Sequence, residues 1–207
     1  MPIALKTPVS DEDIRLLKVG DSVTLSGVMV TGRDAAHKWL NDNFVHPKGS
    51  VKTEDQAIYE ALKPILDGGI IYHCGPVVSG LQSREYKFVA AGPTTSIREE
   101  PYQGDIMRHF NMRGVVGKGG MGSKTLHACQ DVPAVYFHAI GGAASLIAKS
   151  VKEVLGVYKL EFGVPEAIWV IRVEDFPVVV TMDALGSSLH ELVRNSSKTI
   201  LERLISE

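Results

Sequence analysis

The chain is poor in cysteine, with two in 207 residues, Cys74 and Cys129, far apart and without C-x-x-C spacing. That excludes a disulfide framework and a zinc knuckle, and two thiols cannot supply three ligands to a metal cluster. Each reads instead as a small buried hydrophobe. Charge of one sign is also lacking. A formal net charge of −2 and a pI near 6.4 leave no global basic field for nucleic acid or anionic lipid, so any anion site must be local. No apolar run approaches a membrane span, and the first residues, followed by Asp11, Glu12 and Asp13, lack the long apolar stretch of a signal peptide. The cytoplasm is the expected address, with neither nucleic acid nor membrane as partner.

What is present is ordinary globular composition, 44% hydrophobic and 22% charged, and the length suits one domain over 1–207. Ser10 with Asp13 predicts a capped helix over Ile14, Leu16 and Leu17, ended by Gly20. Alternating Val23, Leu25 and Val28 predict a strand from Ser22 to Val30, and a helix follows Gly32. The polar stretch at about 44–69 reads as a helical insert capped by Thr53 with Gln56 and ended by Gly68 and Gly69. Short apolar runs then predict strands at 70–73, 86–91, 114–116, 134–138, 167–173 and 178–182. Helices are expected between them at 105–110, 124–130 and 143–151, with a last one at 188–205. That alternation implies an α/β fold on a mixed sheet with flanking helices.

Four loops could carry chemistry. Gly92-Pro93-Thr94-Thr95-Ser96-Ile97-Arg98 leaves a strand and enters a helix. Its hydroxyls, helix-start N–H groups and Arg98 either converge on a carboxylate or phosphate or simply cap the helix. Gly117-Lys118-Gly119-Gly120-Met121-Gly122 has the glycines of an anion-binding nest and a point charge at Lys118, yet lacks P-loop spacing; a plain flexible turn is the alternative. In Gly32-Arg33-Asp34-Ala35-Ala36-His37, Arg33 suits a bidentate carboxylate grip, and Asp34 and His37 fall on one helix face; a surface ion pair is the alternative. The fourth, Tyr72-His73-Cys74-Gly75-Pro76, places His73 at a strand end, as a pocket-lining group or a satisfied core histidine. The remaining histidines show no metal-ligand spacing. Together Arg33, Arg98 and Lys118 fit a small dicarboxylate substrate. Dehydrating a hydroxy-diacid requires a carboxylate clamp, a base for a carbon-bound proton and, commonly, a Lewis acid for the leaving hydroxyl. Only the first two are visible in this chain.

Taken in chain order, at 32–37, 72–76, 92–98 and 117–121, the four motifs resemble the C-terminal domain or β subunit of class I fumarate hydratases and of L-tartrate dehydratase. The likeness runs on through 162–173 and spares only the 44–69 insert. It implies a swivelling β/β/α domain that closes on a cluster-bearing α subunit, as an α2β2 heterotetramer, with the [4Fe–4S] cluster held by the partner and no metal bound by this chain. By motif match it implies Arg33, Thr95, Arg98, Lys118 and Gly119 as substrate-binding residues, Thr94 as the proton-abstracting group and His37 as a further catalytic candidate. A neutral threonine is a poor base, so the role needs a neighbouring charged group, from the partner on this reading. Fumarate and malate are the expected substrates, with L-tartrate or a non-catalytic metabolite-binding module as alternatives. Leu185 and Ser187 depart from the family, where many relatives have His and Asn.

Overall fold

Alternation along the strands decides where each side chain goes. In the computed structural model, which describes residues 1–206, Ile70, Tyr72, Val116, Val135 and Phe137 point into one core, while their neighbours Ile71, Val115 and Tyr136 point into another. The chain order is β1 (Ile3–Lys6), α1 (Asp11–Leu16), β2 (Ser22–Thr31), α2 (Asp34–Leu40), α3 (Thr53–Leu66), β3 (Ile70–Tyr72), β4 (Val77–Ser79), β5 (Lys87–Ala90), α4 (Glu100–Phe110), β6 (Gly114–Gly117), α5 (Ser123–Asp131), β7 (Val135–His138), α6 (Ala144–Ala148), β8 (Val151–Tyr158), β9 (Ile168–Met182) and α7 (Leu189–Ser206). Strands β1, β2, β3, β6 and β7 run parallel, and β9 is antiparallel to β7, β8 and β2. Because β2 pairs with β9 as well as with β3, the strands β2-β3-β6-β7-β9 close on themselves. The inner core holds Leu25, Tyr72, Phe137, Trp169 and Phe176, all fully buried. The outer core lies under helices: Leu40 of α2, Leu62 and Leu66 of α3, Ile106 and Met107 of α4 and Cys129 of α5 pack with Ile71 and Val115.

The mixed α/β sheet with flanking helices matches the sequence reading, and several boundaries differ. Ser10 does cap α1, its hydroxyl accepting from the Asp13 N–H at 3.1 Å. Thr53 does not cap α3; it is the first helical residue, behind Lys52, which makes no side-chain cap bond. The helix expected at 143–151 stops at Ala148, and Val151 instead opens β8. The two strands expected at 167–173 and 178–182 are one, because the chain passes Asp175, at φ 50°, in a bulge where the register on β2 shifts and pairing resumes at Phe176. Glycine is required at 114, where a Cβ would lie 2.8 Å from the Phe137 ring. No helix among the described residues is long and apolar enough to cross a membrane.

Candidate active site

Parallel pairing of β2, β3, β6 and β7 brings their carboxyl ends to one edge, and each of the four loops leaves from there or is drawn to it. Thr94 is fixed by main chain on both sides: its N–H donates to the His73 carbonyl at 2.7 Å, and its carbonyl accepts from Lys118 N–H at 3.2 Å. Ser96 N–H then donates to the Lys118 carbonyl at 3.0 Å, so the hydroxyl loop is laced between the ends of β3 and β6. Thr94 is half-buried and Thr95 exposed. Gly119 and Gly120, at φ 80° and 81°, carry the next turn in the left-handed region. The start of α5 is filled from within, since the Glu100 carboxylate accepts from Gly122 N–H at 2.8 Å and Lys124 N–H at 2.9 Å.

Of the three predicted cations, Arg98 belongs to this loop, Lys118 pairs with it through its backbone, and Arg33 lies against Gly75; two of the three are already paired. Arg98 binds Asp34, and the Arg33 guanidinium lies 3.2 Å from Glu166, whose carboxylate also accepts from Ala35 N–H at 3.1 Å. Gly75 makes room for Arg33, because a Cβ there would sit 2.9 Å from its Cδ. Lys118, half-buried, makes no ion pair among the described residues. Arg98 and Asp34 are the more open pair, with side chains 57% and 35% exposed, so an incoming carboxylate can reach the guanidinium.

Beneath the loop lies a buried polar chain that spacing alone does not reveal. His37 Nδ1 stands 2.9 Å from the Arg33 carbonyl, and Nε2 of both His37 and His73 stands 2.8 Å from one end of the Gln103 amide. His73 Nδ1 is 2.9 Å from Ser96 Oγ, which accepts from the Tyr136 hydroxyl at 2.8 Å. Burial lowers the pKa of both imidazoles, His73 furthest, so both are neutral. A carbonyl only accepts, so neutral His37 carries its proton on Nδ1 and a lone pair on Nε2. The amide end facing that lone pair must therefore be the NH2 group. A half-turn of the Gln103 side-chain amide, which leaves the heavy-atom positions unchanged, puts it there and lets it donate to both rings. The same half-turn passes the buried position without a partner from the amide nitrogen to its oxygen.

His37 is thus wholly buried with both ring nitrogens engaged. His73 is the satisfied histidine of the two readings its sequence position allowed. Sequence reasoning missed Gln103, Tyr136, Glu166 and Glu99, and it read Ser96 as an anion-facing or capping hydroxyl rather than as a buried partner of His73. The turn bearing the unusual Leu185 and Ser187 is closed by Asp183, whose carboxylate accepts from Leu185 N–H at 3.0 Å and Ser187 N–H at 2.9 Å. Backbone amides make those bonds, so the turn survives either side chain.

Both cysteines are fully buried, and burial pushes each thiol up to about 12. Among the described residues no three His, Cys, Asp or Glu side chains stand together as a metal site.

A sequence profile described as Fumarase C-terminus matches residues 1–193. A Geobacillus stearothermophilus protein provisionally named a class I fumarate hydratase is 51% identical over 203 residues, 98% of this chain and 35% of that protein, so the chain spans about a third of this relative. A Methanocaldococcus jannaschii protein provisionally named L(+)-tartrate dehydratase subunit beta is 36% identical over 95% of this chain and 93% of its own length. The L(+)-tartrate dehydratase subunit beta of Escherichia coli is 34% identical over 96% of this chain and 90% of its own length. With the four loops assembled at one sheet edge and a profile match over nearly all of its length, the chain belongs to the fumarase C-terminus family.

Proposed function

We propose that this chain is the β subunit of a two-subunit class I hydro-lyase of the cytoplasm, hydrating fumarate to malate. One observation carries the reading: Thr94 is pinned by main chain to His73 and Lys118, Arg98 follows in the same loop, and Arg33 lies against Gly75, next to the Cys74–Pro93 bridge that ties this loop to the end of β3. In this reading Arg98 takes one substrate carboxylate on its open edge, while Lys118 and Arg33 set the other, helped by Thr95 and the backbone of Gly119. A charge-assisted hydrogen bond of this kind is worth about 1.5–3 kcal/mol. The Thr94 hydroxyl, held at a fixed point beside the clamp, takes the carbon-bound proton in the dehydration direction while passing its own proton to a charged group of the α subunit, and the two transfers run in reverse during hydration. His37 acts at one remove, by fixing the Arg33 carbonyl and the Gln103 amide. The iron–sulfur cluster belongs to the α subunit, in an α2β2 assembly, and departure of the hydroxyl is that subunit's chemistry.

Two comparisons support the parts of this reading. The higher identity is to a relative named for fumarate, and the relatives nearly equal in length to this chain are named as β subunits. Those same β subunits are named for L-tartrate, which makes L-tartrate dehydration the second reading of the same clamp. The test is to assemble the chain with a cluster-bearing α subunit and measure fumarate hydration and L-tartrate dehydration side by side. Turnover of fumarate with a kcat/KM well above that for tartrate supports the proposal. The reverse preference selects tartrate, and turnover of neither leaves a binding module.

A further inference from the structure

Glu99 ends the 3-10 turn Ser96–Glu99, one residue after Arg98, and is 1% exposed. Both of its carboxyl oxygens are buried and accept from no donor among the described residues; the group they face is the Asp34 carboxylate, to which a protonated Glu99 can donate. No part of the proposed chemistry uses it. A carboxyl group so placed is costly to keep, and the charges around it are specific: Asp34, which holds Arg98, Arg98 itself, and Glu166, which holds Arg33. Resting on the hydro-lyase reading above, we infer that Glu99 is a positioning residue for the substrate clamp. Its buried carboxyl group, set beside Asp34, leaves Arg98 bound to Asp34 by one edge and free to take a substrate carboxylate on the other.

The physical reason is competition for one guanidinium. With Glu99 neutral, Asp34 is the one carboxylate among the described residues that engages Arg98. With Glu99 ionised, two neighbouring carboxylates draw on the same five donors, and the guanidinium is pulled inward, away from the substrate. Burial first, and then the Asp34 charge, push the Glu99 carboxyl up to about 8, so the neutral form prevails at pH 7 and is lost above pH 8. Glu166 pushes the same way and Arg98 opposes. Fumarate carries both of its charges throughout that range, so a change in affinity there belongs to the protein.

The test compares wild type with E99Q and E99M, each assembled with the α subunit, measuring KM and kcat for fumarate from pH 7 to pH 9 and the Kd of succinate by calorimetry. A group titrating near 8 whose ionised form does not bind raises KM by about tenfold over that interval. The wild type should show that rise in KM and in succinate Kd with kcat changing less than about twofold, while E99Q keeps both constants flat. E99M guards against a fold defect in E99Q and should be flat as well. If the rise persists in both variants, or if the variants lose kcat with KM unmoved, the inference is overturned. Should the assembled protein turn over no fumarate, the hydro-lyase reading fails by itself; the succinate titrations still decide the role of Glu99, and absence of any succinate binding overturns both.

Discussion

Replacing Gln103 by leucine removes the one group that serves both buried imidazoles. The amide end lies 2.8 Å from each Nε2, and both histidines are 0% exposed, so neither lone pair can turn to water. Each orphaned acceptor costs about 1–3 kcal/mol, and some relaxation of the two rings is available. The variant should therefore lose about 2–4 kcal/mol of stability, a large part of the 5–15 kcal/mol typical of a folded domain. For a chain of this length that corresponds to a fall in Tm of about 5–15 °C. Urea unfolding followed by circular dichroism measures it, with an unchanged m-value confirming that the folded state stays compact. Gln103→Glu tests the amide orientation directly. A carboxylate cannot donate, so His37 would have to carry protons on both nitrogens to keep its bond to Arg33, and its pKa should rise in nitrogen-15 NMR titrations. If Gln103→Leu unfolds within about 0.5 kcal/mol of wild type, or if Gln103→Glu leaves His37 neutral at pH 6, the buried chain is not what holds the loop.

Three further outcomes are expected. Gly114→Ala should cost about 1–3 kcal/mol in urea unfolding, because its Cβ would lie 2.8 Å from the Phe137 ring inside the closed sheet. Lys159→Met should cost about 3–5 kcal/mol by strand-and-helix unfolding, since it leaves Asp55, whose side chain is 12% exposed and 3.0 Å from the lysine, buried without its partner; Asp55→Ala in the same background should recover part of the loss. Stability should peak near pH 6.5. His37 and His73 have lowered pKa values, so on the acid side the unfolded chain binds protons that the folded one refuses, at up to about 1.4 kcal/mol per pH unit for each ring. Glu99 works oppositely: its raised pKa favours the folded state at low pH, and that contribution is lost as pH climbs towards about 8, a limb that E99Q should flatten in urea midpoints.

The strands that build the site were legible because they are buried on both faces or alternate strictly, as in Ile70 to Tyr72 and Val135 to Phe137. β8 was not, because its burial follows no clean period and its pairing on β9 slips between Val151 and Glu153 and again between Val154 and Gly156. Asp175 and Pro177 read as a break between strands, whereas pairing with β2 carries β9 through both. At the site, the residues that could be named from sequence were those in glycine-punctuated loops, where a charge or hydroxyl has no packing reason to be there. Gln103 and Tyr136 sit in a helix and a strand, where polar residues are common, and only the tertiary fold shows that they meet His73 and Ser96. The ion partners of Arg33 and Arg98 were hidden for the same reason, Glu166 being 133 residues from Arg33 by the difference of their numbers.

Thr94→Val bears most directly on the central claim. Valine keeps the β-branched shape and the backbone bonds to His73 and Lys118 while deleting the hydroxyl. In the assembled α and β subunits, fumarate hydration and succinate affinity should be measured on the same preparation, with iron content confirmed equal to wild type. Turnover should fall by about 10²–10⁴-fold, the usual contribution of a positioned proton-transfer group, with succinate Kd within about threefold of wild type. Turnover within a few-fold of wild type would contradict the account, leaving Thr94 as a structural residue of the loop and placing the base elsewhere.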